Sequence, residues 1–166
     1  MSAAGFILLN YDSKIKEWKI LSLVDLEGLN DLPKGVIDEG ENCLEAAKRE
    51  LFEETNIDIN NKKIKKTWVN WDNEWDKNKE DSLQDISVTS KKSRNLTMFF
   101  AEVEKSIIED IKILPNPYTN KKEHLNYRFI SKEEYESDKT PGYLFDYFKL
   151  ALNKIKNLGE SRGFYD

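Results

Sequence analysis

At 166 residues the chain fits a single domain over 1–166 better than two, because two halves of that length would each bury too little apolar surface. Hydrophobic residues at 39% supply a core and argue against a disordered chain, although 34% of residues are charged. A formal charge of −5 argues against bulk nucleic-acid binding through a global positive field and leaves small anionic substrates open. Cys43 is the only cysteine and His124 the only histidine, so an intramolecular disulfide, a cysteine-built zinc site and a histidine-rich metal centre are ruled out. Any metal must sit on oxygen ligands, which points to Mg²⁺ or Mn²⁺ over zinc. No apolar run approaches the ~20 residues of a membrane span, and residues 1–9 are too short and lack the basic flank of a signal peptide. A cytoplasmic protein with no membrane partner is the expectation, and nothing in the pattern sets an oligomeric state.

Residues 5–9 form an apolar run and 18–24 a second, separated by a polar stretch, which predicts a hairpin of two strands. Gly28, Pro33, Gly35 and Gly40 make 27–41 a loop, and a helix is expected over 42–55. Strands are expected over 64–70 and 95–103, the latter with threonine, methionine and paired phenylalanines in its middle. Between them, residues 71–94 form a polar insertion longer than ordinary loops, either a functional flap or a stretch with short elements of its own. Residues 115–120 read as a turn and 125–130 as a short strand, and Ser131 with Glu134 reads as a capping box. Pro141 interrupts the chain ahead of a C-terminal helix over 145–158, where Phe145, Phe148, Leu152 and Ile155 recur at three- and four-residue spacing. Strands flanking two or three helices place the chain in the α+β class, as an α/β/α sandwich.

On the first helix Glu50, Glu53 and Glu54 sit at i, i+3 and i+4, projecting from one face within an arc of roughly 100°. Such a run is ordinarily a solvated acidic stripe. Its neighbours argue otherwise: Ala46 and Cys43 continue the same face, small enough for a preceding loop to approach, while Leu44, Ala47 and Leu51 form an adjacent strip for the core. Upstream, Leu32-Pro33-Lys34-Gly35 supplies a tight loop whose glycine permits that close approach. Three neighbouring carboxylates raise one another's proton affinity, and a divalent cation is the natural way to offset this.

Gly35, then Glu41, Arg49-Glu50-Leu51, Glu53-Glu54 and Ile57 are spaced as a motif of 23 residues that resembles the Nudix box. Six fixed residues at background frequencies of ~5–7% would match by chance with a probability of order 10⁻⁵ in a chain this long. Where the family usually has glycine this chain has Asn56, which tolerates the left-handed conformation that often ends a helix. The resemblance implies an α/β/α sandwich with a mixed sheet, and Mg²⁺, or Mn²⁺, bridged to a substrate diphosphate. It implies Glu50, Glu53 and Glu54 as metal ligands with the Gly35 carbonyl, and Arg49 orienting the glutamates through charge-assisted hydrogen bonds. Glu41 takes a structural or outer part. Within the family the general base varies, so Glu53, Glu54 or a glutamate from elsewhere could serve; Glu102, which would also join the metal, and Glu123 are the outside candidates.

Substrate choice lies outside the box. The Leu32-Pro33-Lys34-Gly35 approach, the strand 99–103 and Glu123-His124-x-x-Tyr127-Arg128-Phe129 resemble the diadenosine polyphosphate hydrolase branch, and Trp75 lies close to where that branch carries tyrosine. The partner implied is a small nucleotide, first a dinucleoside polyphosphate, met by Lys34, Trp75, Glu123, His124 and Tyr127. His124 would contact phosphate and Tyr127 would stack on a base; the plainer alternative is a satisfied histidine and a half-buried strand tyrosine. Trp68, Trp71 and Trp75 are spaced like one helix face, so packing competes with base stacking there. Lys91, Lys92, Arg94, Lys121 and Arg128 are further cations for phosphate. No proline occurs between Pro33 and Pro115, so the mark of ADP-ribose hydrolases is missing. Nucleoside triphosphates, nucleotide sugars and capped RNA ends stay open as substrates. A silent Nudix module that binds a nucleotide or a protein is the remaining alternative; its usual sign is a damaged acid triad, and this triad is whole.

Overall fold

Both expected apolar runs become long strands, β1 (Ala3–Asp12) and β2 (Glu17–Asp25), paired as an antiparallel hairpin with Leu9 opposite Ile20 and Asp12 opposite Glu17. The computed structural model describes residues 2–65, 87–89, 95–135 and 142–162. Along β1 the residues from Ala4 to Leu9 are buried without alternation, so both faces of this strand are covered. The remaining strands are β3 (Asn30–Asp31), β4 (Lys34–Val36), β5 (Ile64–Lys65), β6 (Ser87–Thr89), β7 (Leu96–Val103) and β8 (His124–Ile130). They form one sheet with the path β3-β2-β1-β7-β5, to which β4 adds on β1, β6 on β7 and β8 on β2. β1 and β7 run parallel, from Ala3 opposite Leu96 to Leu9 opposite Glu102, and every other pairing is antiparallel, so the sheet is mixed.

Helix α1 (Cys43–Thr55) packs on β1, β4 and β7 through Leu44, Ala46, Ala47 and Leu51, each at most 1% exposed. A short helix α2 (Lys132–Tyr135) opens on the expected Ser131–Glu134 capping box, and α3 (Gly142–Arg162) follows. α3 buries Tyr147, Phe148, Ala151 and Ile155, while Phe145 and Leu152 of the expected stripe are only partly buried. Its Lys154 Nζ donates to the Ser87 carbonyl at 2.6 Å, and the Tyr147 hydroxyl donates to the Leu96 carbonyl, fixing the helix to β6 and β7. No helix among the described residues is long and apolar enough to cross a membrane.

Several expectations shift. The loop expected over 27–41 contains β3 and β4, because two- and three-residue strands carry no periodic signal and exist only by pairing with β2 and β1. That pairing needs Gly5: a Cβ there would run into the Pro33 carbonyl, which accepts from the Phe6 N–H at 3.0 Å. β6 falls within the polar insertion over 71–94 and is one of the short elements that reading allowed there. A 3₁₀ turn, Lys105–Asp110, follows β7 where no element was expected. Of the strand expected over 64–70, Ile64–Lys65 is seen and 66–70 lie outside the described residues.

Asn56 ends α1 at φ 64° and ψ 16°, its N–H donating to the Phe52 carbonyl at 2.9 Å, so asparagine does take the left-handed position where glycine is usual. A non-glycine residue there costs about 1–2 kcal/mol, less for asparagine than for alanine. Asn56→Gly should therefore melt at or slightly above the wild-type temperature, and Asn56→Ala should melt roughly 2–4 °C below it. Thermal denaturation of the three proteins checks this; equal melting of the alanine variant would contradict the strain.

Candidate active site

The site is built on α1 from its first turn. Asn42 accepts from the Glu45 N–H at 2.8 Å and its side-chain amide donates back to Glu45 Oε1 at 2.8 Å, a reciprocal cap that fixes where the helical phase begins. From that origin the 3.6-residue period brings Glu50, Glu53 and Glu54 to one side. β4 delivers Gly35 against this side so closely that a Cβ on it would overlap the Glu50 carboxylate. A side chain there would have to displace the Glu50 carboxylate from Arg49.

Arg49 organises the acids. Its Nε donates to Glu41 Oε2 at 2.9 Å and its Nη2 to Glu41 Oε1 at 3.0 Å, a two-pronged pair, while Nη2 also reaches the Val36 carbonyl at 2.9 Å. Nη1 donates to Glu50 Oε1 at 3.0 Å and to Glu53 Oε2 at 3.1 Å. The hydrogen bonds from Arg49 hold Glu41 below the usual carboxylate range, and the same pairing pushes the guanidinium further up.

Glu50 and Glu54 are disturbed the other way. Burial is the largest cause at Glu50, where the charge of Arg49 opposes it and that of Glu53 adds to it. Glu54 is pushed up to about 9, by burial first and then by the charges of Glu50 and Asp31. Its Oε2 is a buried oxygen with no hydrogen-bond partner, a costly arrangement that a cation would relieve. Among the described residues no three acidic, imidazole or thiol groups already stand around a single point, and Arg49 holds one oxygen each of Glu50 and Glu53. Hard oxygen donors, an orphaned buried oxygen and the small clearance at Gly35 fit a divalent cation, which Glu50, Glu53 and Glu54 would hold with the Gly35 carbonyl nearby.

Facing the helix across a small cleft are Leu114, Asn116, Pro117, Glu123 and His124. Asn116 shapes this wall: its side-chain oxygen accepts from the N–H groups of Tyr118 and Thr119, and its amide donates to Glu123 Oε1 at 2.7 Å. His124 arrives through a bulge. β8 pairs Asn126 with Val24 and then His124 with Asp25, skipping Leu125. Strict alternation would put His124 with the exposed Asn126 and Arg128; the bulge buries it instead, at 4% exposure.

The expected site residues divide accordingly. The structure brings Gly35, Arg49, Glu50, Glu53, Glu54, Glu123 and His124 together, with Lys34 next to Gly35 at the start of β4. Glu102 is not among them: β7 points its carboxylate to Lys65, 3.3 Å away on β5, and it does not line the cleft. Tyr127 is half-buried against the core beneath β8, nearer the plainer of its two readings, and it too is absent from the cleft wall. Trp75, with Trp68, Trp71, Lys91, Lys92 and Arg94, lies outside the described residues. Sequence reasoning missed Asp31 and Asn116. The first could have been found only from its i, i+3 pairing with Lys34, the second from its place at the head of the expected 115–120 turn.

A family model described as NUDIX domain matches residues 3–148, which take in every strand of the sheet, α1, α2 and the start of α3. The chain belongs to the Nudix family. It is 31% identical to an RNA pyrophosphohydrolase of Bartonella clarridgeiae over 80% of this chain and 77% of that protein. To the RNA pyrophosphohydrolase of Bartonella henselae it is 30% identical, over 97% and 89% of the two chains. Among solved structures, a C. elegans Ap4A hydrolase in binary complex superposes with a TM-score of 0.55 at 18% identity, over 98% and 99% of the chains. A MutT protein from Methanosarcina mazei Go1 gives 0.55 at 20%, over 94% and 95%. These likenesses bear out the α/β/α sandwich with a mixed sheet and make the chain a Nudix hydrolase.

The raised Glu54 predicts a pH effect on this hydrolase without metal. In the unfolded chain this carboxyl releases its proton near its ordinary value of 4.5, whereas the folded protein keeps it to about 9. Between those values the folded state binds more protons, so this group's contribution to stability falls as pH rises and levels off above about 9. Glu54→Gln removes that loss. In chelator its melting temperature should exceed the wild type by at least ~3 °C at pH 8, with a smaller gap at pH 5. A gap that is absent, or that widens toward acid, would refute the raised proton affinity of the buried Glu54 carboxyl.

Proposed function

We propose that this Nudix hydrolase cleaves a phosphoanhydride in a nucleoside 5′-polyphosphate, with Mg²⁺ as the cation. The observation that carries the chemistry is the buried, unpartnered Glu54 Oε2 beside Glu50 and Glu53. When bound, the metal neutralises phosphate charge and makes a water acidic enough to attack in line. The chain's own residues do the rest. Arg49 holds one oxygen each of Glu50 and Glu53, which restricts the rotamers these carboxylates take beside the substrate. The attacking water's proton passes to a cleft carboxylate, Glu53 or Glu54 from the helix or Glu123 from the facing wall. Lys34, just before Gly35 on β4, supplies positive charge to the phosphates.

For the substrate, the Glu123–Phe129 segment and the Ap4A hydrolase likeness support a dinucleoside polyphosphate, cleaved for the tetraphosphate into a nucleoside triphosphate and monophosphate. A second reading, the 5′-triphosphate end of RNA, is favoured by the two relatives named RNA pyrophosphohydrolase. Both substrates offer a 5′-linked polyphosphate to the cleft. A panel of a dinucleoside tetraphosphate, a 5′-triphosphorylated RNA oligonucleotide, ADP-ribose and a deoxynucleoside triphosphate, each with Mg²⁺ and products separated chromatographically, tests the proposal. One of the first two should be the best substrate; ADP-ribose or the deoxynucleoside triphosphate turned over about tenfold better would displace it. Excess chelator should abolish turnover.

Substitution tests the acids separately. Glu53→Gln and Glu54→Gln should each lower kcat by ~10²- to 10⁴-fold at saturating Mg²⁺. Glu45→Gln, which keeps the side-chain oxygen that accepts from Asn42 and lies off the acidic face, should change kcat by less than about threefold. Near-normal turnover in the Glu53 and Glu54 variants would remove these carboxylates from the reaction.

A further inference from the structure

Asp31 stands at the junction of two walls of the cleft. Its Oδ1 accepts from Lys34 Nζ at 2.6 Å and from the Leu32 N–H at 2.9 Å, while its Oδ2 lies 3.0 Å from His124 Nε2. Each carboxylate oxygen thus holds one basic side chain. Leu23 of β2 pairs with Asp31 on one edge and with Tyr127 on the other, so the Asp31–His124 contact spans this end of β2 and joins β3 to the start of β8. Beyond Lys34 comes Gly35, pressed against Glu50; beside His124 comes Glu123, anchored by Asn116. Burial alone would push the Asp31 carboxyl up, but the hydrogen bond from His124 and the charge and hydrogen bond of Lys34 outweigh it and hold it below its ordinary value. An ionised carboxylate only accepts hydrogen bonds, so His124 Nε2 carries the proton that it shares with Asp31.

A half-buried negative charge beside a site for a polyanion is unfavourable on electrostatic grounds, and here it also helps to raise Glu54. Its geometry supplies the compensating reason. We propose that Asp31 is a positioning residue: it fixes the Lys34 ammonium and, through His124, the Glu123 wall at the separation at which a polyphosphate is held against the helix carboxylates. The proposal rests on reading the cleft as the polyphosphate site.

Two physical effects of removing Asp31 have opposite signs, which makes the test decisive. Loss of a negative charge would by itself lower KM for an anionic substrate, whereas loss of positioning raises it. The proteins to compare are wild type, Asp31→Asn, Asp31→Ala, Lys34→Ala and the Asp31→Ala/Lys34→Ala double variant, on the best substrate of the panel, with thermal denaturation to show that each is folded. Because His124 is the only histidine, its imidazole ¹⁵N resonances report the bridge without assignment ambiguity.

The expected results are a KM raised about fivefold or more in both Asp31 variants, and a double variant within about twofold of the worse single one, the non-additivity of residues that act as a unit. The wild-type imidazole should show one fixed Nε2–H tautomer and the Asp31→Ala imidazole an averaged one. If Asp31→Ala does not fold, the isosteric Asp31→Asn carries the kinetic comparison. An unchanged or lower KM in folded variants, additive losses, or a tautomer indifferent to Asp31 would each overturn the proposal. A wild-type protein inactive on every panel member would instead overturn the proposed function, whereas an active one whose Asp31 variants keep their KM overturns this inference alone.

Discussion

The arrangement depends above all on one guanidinium. Arg49 touches Glu41, Glu50, Glu53 and the Val36 carbonyl, so one planar fork ties the loop before the helix, the end of β4 and the acidic face into a single unit. A lysine could not do this, because a point-like ammonium lacks donors aimed in several fixed directions. Without the fork, Gly35 would still permit close approach, but the carboxylates would repel one another into whatever rotamers water favours. The tolerance for Gly35 is equally narrow, since the space a methyl group would need is filled by the Glu50 carboxylate.

Stability and function are kept in different parts of the fold. The core around β1, where Phe6, Ile7, Leu8 and Leu9 are fully buried against α1, β7 and the hairpin, supplies apolar burial. The acidic face of α1 works against it, with Glu50 and Glu54 driven toward their neutral forms by burial and like charge. A fold violates local physical rules where function requires it and compensates elsewhere. Here both demands fall on adjacent faces of the same helix, so the apolar strip of Leu44, Ala47 and Leu51 anchors the helix that carries the acidic face.

The facing wall of the cleft has a different origin. Asn116, Glu123 and His124 sit on a turn and a bulged strand end, held by side-chain hydrogen bonds, with none of the cap-and-period logic that fixes α1. Nucleotide-processing chemistry can therefore stay constant on the helix while the facing wall varies its contacts. Lys34 and Asp31 lie where the two regimes meet, on the short segment that pairs first with β2 and then with β1.

What the sequence determined by itself is whatever depends on spacing along the chain. The helix over α1, the common face of Glu50, Glu53 and Glu54 and the left-handed Asn56 all follow from a period of 3.6 residues and from backbone sterics, which are local. The long strands β1, β2, β7 and β8 were legible within one to three residues at their ends, because their apolar runs are long. Only tertiary structure decided the rest. β3 and β4 are strands because β2 and β1 lie beside them, Glu102 belongs to Lys65 because β5 brings that lysine alongside, and His124 faces the cleft because a bulge at Leu125 shifts its register. The Asp31–His124 contact joins residues 93 positions apart, through a pairing that exists only once β3 and β8 flank the same end of β2. No spacing rule reaches across that distance; the sheet does.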